Sequence, residues 1–216
     1  MPKVAIIITI MEGDDGSAGC LEECQRQVDT VAAEGKYSFS IFLNDEGESG
    51  YTSAWERASK DGADFFLWID HDLRLNEGVI TGMLENSAFL RHKAVIVGAL
   101  SRPDKTLVFG GRTRRGRLVE PDPVIPVPCQ LFDMALAFVP QHAFASLENP
   151  LDFFRVGLLY YGFGSRLAKA GVARMVAPGV QAVSVRKVEI PSWKDPESGF
   201  KEKLASIIQL KTPHKL

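Results

Sequence analysis

Between Lys3 and Leu100 the chain alternates between two periodicities, and this alternation limits its fold more than any other feature. Lys3–Ile10, Ser38–Leu43, Asp64–Ile69 and Ala94–Leu100 are β-branched or aromatic runs that read as strands. Between them, Ala18–Glu34, Thr52–Asp61 and Glu77–Leu90 have helical spacing. In the first of these, Leu21, Cys24, Val28 and Val31 fall on one face, and Gly35 supplies a stop. A β-α-β-α-β-α-β order predicts an α/β fold, a largely parallel sheet flanked by helices on both faces. Trp68, in the run Phe65-Phe66-Leu67-Trp68-Ile69, is expected beneath those helices.

Beyond residue 100 the texture changes. Leu107–Arg112 and Arg117–Val119 flank a basic turn, Thr113-Arg114-Arg115-Gly116, and read as a hairpin. Pro121–Pro128 carries four prolines and reads as an extended connection. Leu131–Val139 and Ala173–Val176 read as strands. Leu158–Ala170 reads as a helix ended by Gly171, and Phe200–Leu210 as a terminal amphipathic helix. The chain thus divides into residues 1–100, 101–189 and a tail, 190–216.

A length of 216 residues, 45% of them hydrophobic, suits one domain with a full core. The net charge of −2, from 25 basic and 27 acidic residues, gives no bulk attraction to nucleic acid or membrane. The N-terminal apolar run spans only Val4 to Met11 and lacks a small-residue cleavage site, so it reads as a first strand and not as a signal peptide. Cys20, Cys24 and Cys129 form no CxxC or Cys/His ligand set. They read as free thiols, and a cytoplasmic location is expected.

Asp70-His71-Asp72 follows the apolar run directly. In open parallel sheets ligands bind outside the carboxyl ends of the strands. Two carboxylates there, one residue apart, suit a hard divalent cation, Mg²⁺ or Mn²⁺, with a diphosphate as co-ligand.

Together VAIIITI, FLNDEGESG and FFLWIDHDLRL resemble a glycosyltransferase of family 2, with the GT-A fold. The later segments AVIVGAL, FGGRTRRGR, PCQLFDMALAFVP, YYGFGSRLAKAGVARMVAPG and SWKDP follow the order of a bacterial polysaccharide-type subgroup. The resemblance spans about residues 3–215. It implies class 2.4 sugar transfer, inverting and metal-assisted, from a nucleoside diphosphate sugar to a glycan or lipid-linked acceptor. A lipid-linked acceptor would bring the protein to a membrane surface. Residues 1–100 become the nucleotide-sugar-binding half of one GT-A domain, and 101–189 its acceptor-side half.

By the same resemblance, Thr9 and Met11 hold the base and ribose, and Asp45, with Glu46, hydrogen-bonds uracil or ribose. Asp72 ligates Mn²⁺ or Mg²⁺ directly, while Asp70 contacts ribose or the metal shell. Arg112, with Arg114 and Arg115, faces a diphosphate or charged acceptor, because guanidinium forks suit phosphate.

Three departures bear on catalysis. The family's acceptor-side asparagine-glycine-asparagine stretch is Phe132-Asp133-Met134-Ala135 here. Its general-base aspartate is replaced by Tyr160, in Tyr160-Tyr161-Gly162-Phe163-Gly164-Ser165-Arg166, and a tyrosine of pKa about 10 is a poor base at neutral pH. The histidine that relatives use as a metal ligand is absent from Val183-Ser184-Val185. Asp152 matches a structural acid of the family, so Asp133 is the substitute base this chain offers. Donor acids kept beside base acids lost would equally suit a non-catalytic nucleotide-sugar-binding relative. A nucleotidyltransferase would show a Gly- and Arg-rich loop after the first strand, and MEGDDGSAG has no basic residue before Arg26.

Overall fold

A computed structural model describes residues 1–10, 16–44, 47–145, 164 and 166–185, apart from the side chains of 16, 17, 47–52 and 145. Met1–Val185 form one compact unit, and a second, Arg186–Leu216, lies outside the described residues. The expected helix Phe200–Leu210 falls there, and most of Leu158–Ala170 also lies outside the described residues. Of the latter, residues 166–169 are helical, and Gly171 ends the turn at a φ of 74°.

The first half follows the expected order: β1 (Lys3–Thr9), α1 (Gly16–Ala32), β2 (Ser38–Asn44), α2 (Gly47–Lys60) and β3 (Phe65–Ile69). After β3 comes a short strand absent from the sequence reading, β4 (Leu73–Leu75), then α3 (Val79–Phe89) and β5 (Ala94–Ser101). The second half contains β6 (Leu107–Phe109), β7 (Gly111–Arg112), β8 (Val127–Pro128), β9 (Leu131–Phe132), β10 (Leu136–Pro140), the single-turn α4 (Gln141–Ala145) and β11 (Ala173–Ser184).

The main sheet runs β2-β1-β3-β10-β5-β11-β4. β1 pairs in parallel with β2 and β3, and β5 with β11, while β10 lies antiparallel between β3 and β5. Strands buried on both faces carry apolar side chains at every position, because successive residues point to opposite sides. Val4, Ile6, Ile8, Phe65, Leu67, Ile69, Ile96 and Phe138 meet α1 and α3 on one face through Cys24, Val28, Ile80 and Met83. Ala5, Ile7, Phe66, Trp68, Val95, Val97 and Val139 meet Ala54 and Ala58 of α2, Phe144 and Leu167 on the other. Trp68 is 1% exposed, its ring 5.6 Å from that of Phe144 and 5.7 Å from that of Phe66, as expected of a core tryptophan.

Three local expectations are corrected. Leu131–Val139 is not one strand but two, β9 and β10, separated by a turn at 133–135. The hairpin survives as a single bridge between Arg112 and Leu118, because its first strand splits at Gly110. Gly110 has a φ of 138°, and a Cβ there would sit 3.2 Å from the backbone of Gly98 and Ala99. The bend sends β6 to β5 and β7 to β9. Finally, Ala173–Val176 continues through Pro178-Gly179 to Ser184. Register shifts on either side of Val180 let one strand follow β5 along its whole length.

Candidate active site at the carboxyl end of the sheet

Every parallel strand leaves the core on a buried polar residue: Thr9 on β1, Asn44 on β2, Asp70 just past β3, Ser101 on β5 and Ser184 on β11. Register brings them to one end. Thr9 pairs with Asn44, Ile8 with Ile69 next to Asp70, and Val183 with Ser101. His71, Asp72 and Asp133 join them, so eight of the ten buried polar or charged residues among those described lie here. Burying polar groups is costly unless they are engaged. Their concentration at one end of an otherwise apolar sheet marks a built site.

Asp70-His71-Asp72 is held by its neighbours. Asp70 N–H donates to the Ala135 carbonyl at 2.8 Å, and Val185 N–H donates to the Asp72 carbonyl at 2.9 Å. The Thr9 hydroxyl is the hub: it donates to Asp70 Oδ1 at 3.4 Å, accepts from His71 N–H at 3.1 Å, and meets His71 Nδ1 at 3.4 Å. Asp70 and Asp72 are 5% and 6% exposed, a depth at which carboxylates need partners.

The Cys20 thiol, on α1, donates to the Asp70 carbonyl at 3.6 Å. Burial, and then the negative charges of Asp70 and Asp72, push its pKa up to about 12. The thiol therefore stays neutral near pH 7 and does not act as a soft thiolate ligand. What remains is an oxygen-rich donor set, suited to a hard cation. Among the described residues no three His, Cys, Asp or Glu side chains converge as a metal cage. One or two carboxylates completed by substrate phosphates is the way Mg²⁺ is usually held.

Across the rim, Arg112 and Asp133, assigned separate tasks by the sequence, meet each other. Arg112 Nη2 lies 3.1 Å from Asp133 Oδ2, and Arg112 Nε donates to the same oxygen at 3.1 Å. Gly110 N–H donates to it at 3.2 Å. Arg112 also donates to the carbonyls of Gly116, at 3.1 Å, and Val108, at 3.3 Å. Burial raises the Asp133 pKa above the ordinary aspartate value, opposed by the Arg112 charge and the Gly110 N–H. The pair ties the turn before β10 to β7.

Of the residues singled out by sequence, Thr9, Asp70 and Asp72 are thus in contact or adjacent, and Arg112 and Asp133 form the pair beside them. Arg114 and Arg115 are exposed on the turn. Met11, Asp45, Glu46, Asp152 and Tyr160 lie outside the described residues. The segment Val183-Ser184-Val185, where relatives carry a histidine, does reach Asp72 through the Val185 N–H, and its buried polar residue is Ser184. Asn44, Ser101, Ser184 and Cys20 were not assigned from sequence. For Asn44 and Ser101 the signal was their position, a polar residue closing an apolar run, whereas Ser184 ends a strand that the sequence reads as broken at Pro178-Gly179.

Among solved structures, A197 from STIV matches with a TM-score of 0.57 and 10% identity over 87% of each chain. GalNAc-T7, crystallised with UDP, GalNAc and Mn²⁺, matches with a TM-score of 0.55 and 11% identity over 87% of this chain and 44% of its own. S. aureus TarS matches with a TM-score of 0.50 and 10% identity over 99% of this chain and 40% of its own. The chain therefore spans less than half the length of the latter two. No protein-family model matches it, and no curated protein is significantly similar to it. At these identities the likeness is one of fold, and the fold is GT-A.

Proposed function

We propose that this chain is a metal-assisted glycosyltransferase of the family 2 type, moving a sugar with inversion from a nucleoside diphosphate to a glycan or lipid-linked acceptor. One observation carries this reading: two buried carboxylates, Asp70 and Asp72, anchored at the carboxyl end of the central β3 of a GT-A sheet. GalNAc-T7, of the same fold, was crystallised with UDP, GalNAc and Mn²⁺.

In this reading Asp72 would hold Mn²⁺ or Mg²⁺, and Asp70, oriented by the Thr9 hydroxyl, would face the ribose or the hydration shell of that ion. A cation bound there would offset the charge that builds on the departing diphosphate. Thr9 and Met11 would line the base and ribose, and Asp45, with Glu46, would hydrogen-bond the uracil or ribose. Tyr160 occupies the family's base position. Asp133 is the alternative base, since burial moves its pKa toward that of a working proton acceptor.

A second reading has its own support. The Asp133 carboxylate is already engaged by Arg112 and by the Gly110 N–H. A base so engaged favours a protein that binds a nucleotide sugar without transferring it.

The test common to both readings is calorimetry with UDP and other nucleoside diphosphates, with and without Mn²⁺. Mn²⁺-dependent binding is expected, and Asp72→Ala should weaken it at least about 100-fold while leaving the fold intact, a difference of about 2.7 kcal/mol. Binding indifferent to Asp72→Ala would remove the assignment.

A further inference from the structure

At the opposite, amino end of the sheet lies a cleft of about 550 Å³ lined by Arg91, His92, Lys93, His142 and the turn Ala170-Gly171-Val172. Among the described residues no acidic side chain lines it. Arg91 and Lys93 are exposed, and among the described residues neither side chain has an ion-pair or hydrogen-bond partner. Lys93 lies close enough to His142 to add to the partial desolvation that holds that imidazole below its ordinary pKa. Two cations and two imidazoles therefore share one concavity with no counter-charge among the described lining residues.

The backbone that presents them is unusual. Arg91 and His92 have φ values of 54° and 57°, consecutive left-handed residues that are not glycine. The turn is held by Arg91 N–H to Ala88 O at 2.8 Å, His92 N–H to Ser87 O at 2.7 Å and Lys93 N–H to Leu90 O at 3.1 Å. The His92 ring is fixed by Ser87 Oγ, 2.9 Å from Nδ1, and by Phe65, 4.9 Å away between centroids. Sparsely populated backbone held in place by its surroundings tends to mark sites that act on something.

We propose that this cleft binds a small phosphorylated molecule, at a site separate from the nucleotide end of the sheet. An Arg, a Lys and two His side chains offer charged and directional donors to phosphate oxygens. Concavity suits a small ligand, and of the apolar lining residues Val172 is buried and only the small Ala170 is exposed, so among the described residues the cleft offers no large exposed apolar anchor to a bilayer. β5 alone, with eight residues at about 3.3 Å each, puts some 23 Å between this end and the acids at the other.

The test is a titration of the full chain with inorganic phosphate in metal-free buffer at constant ionic strength, following the histidine resonances by NMR. Saturable shifts of His92 and His142 are expected, with the His142 pKa rising as the anion offsets the Lys93 charge. Arg91→Gln with Lys93→Gln should weaken binding about ten- to hundredfold, the range of a lost charged hydrogen bond, and leave Mn²⁺-dependent UDP binding unchanged. Lys93→Gln alone, at a residue of ordinary φ, should weaken it about tenfold and serves if the double variant folds poorly. Shifts reproduced by chloride, or indifferent to both variants, would overturn the site. Sedimentation with phosphatidylglycerol vesicles that needs Arg91 and Lys93, and that phosphate does not displace, would assign the cleft to a lipid surface and overturn the small-molecule reading.

Discussion

At its carboxyl end β3 runs into Asp70 and Asp72, both buried, whereas at its amino end Phe65 packs against the tilted His92 ring beside the exposed cations Arg91 and Lys93. The interior of the sheet is the same between them, apolar on both faces. In a mostly parallel sheet the strands begin at one end and finish at the other, so whatever each connection contributes accumulates by end. The carboxyl end has collected buried carboxylates, hydroxyls, an amide and the His71 imidazole, with the Arg112–Asp133 pair beside them, whereas the cleft at the amino end gathers a guanidinium, an ammonium and two imidazoles. One floor thus supports two rims of different chemistry, the amino one also carrying Asp61 and Asp64 beside Lys3, away from the cleft lining.

The largest effect expected tests whether that floor is truly shared. Trp68→Ala removes a fully buried ring in contact with Phe66 and Phe144 and should cost about 3–5 kcal/mol in urea unfolding. A loss below about 1 kcal/mol would mean that the two rims rest on different supports.

Next comes the ion pair that distinguishes the carboxyl rim. Arg112→Met would strand the Asp133 carboxylate, and since the pair retains 18% and 11% side-chain exposure the cost should be about 2–3 kcal/mol, somewhat below that of a fully buried pair. Adding Asp133→Asn should recover part of it. A double-mutant cycle with coupling under about 0.5 kcal/mol would show the pair to be structurally idle.

A third experiment asks what the carboxyl rim does. If the base is missing, Tyr160→Asp should raise nucleoside diphosphate release with acceptor about 100-fold over a slow wild type. If Asp133 serves, the wild type is fast and Asp133→Asn abolishes release. A fast enzyme indifferent to Asp133→Asn would contradict both.

The smallest effect is a slope. Burial, opposed by Arg112, sets the Asp133 pKa above its ordinary value. The folded protein then keeps that proton to a higher pH than the unfolded chain does. The stabilising contribution is therefore full below the ordinary aspartate value of about 3.9 and is lost as pH rises through the folded pKa. The stability of wild type relative to Asp133→Asn should fall across that window in denaturant titrations. A relative stability that rose with pH would mean that Arg112 outweighs burial.

Much of this arrangement was legible in the residues themselves. β1, β2, β3 and β5 stand within a residue or two of where their apolar runs place them. Periodicity and side-chain volume are local properties, read from neighbours in the chain, and the same is true of two carboxylates following a buried run. The alternation of strands and helices, the two-faced core with Trp68 inside it, and the position of Asp70 and Asp72 at a strand end were accordingly determined by sequence.

Only the tertiary structure decided the rest, because it depends on partners distant in sequence. β10 inserts antiparallel between β3 and β5, a choice made by pairing with Ile69 and Val97 and not by its own five residues. β11 passes through Pro178-Gly179, which reads as a break, because register shifts let it keep pairing with β5. Leu73–Leu75, too short to show a period, became a strand because Ala182–Ser184 lay beside it. Arg112 and Asp133, 21 residues apart, were brought together by the bend at Gly110 and the pairing of β7 with β9. Long-range pairing is stabilising only once the fold has closed the intervening loops, so no local pattern in the chain records it.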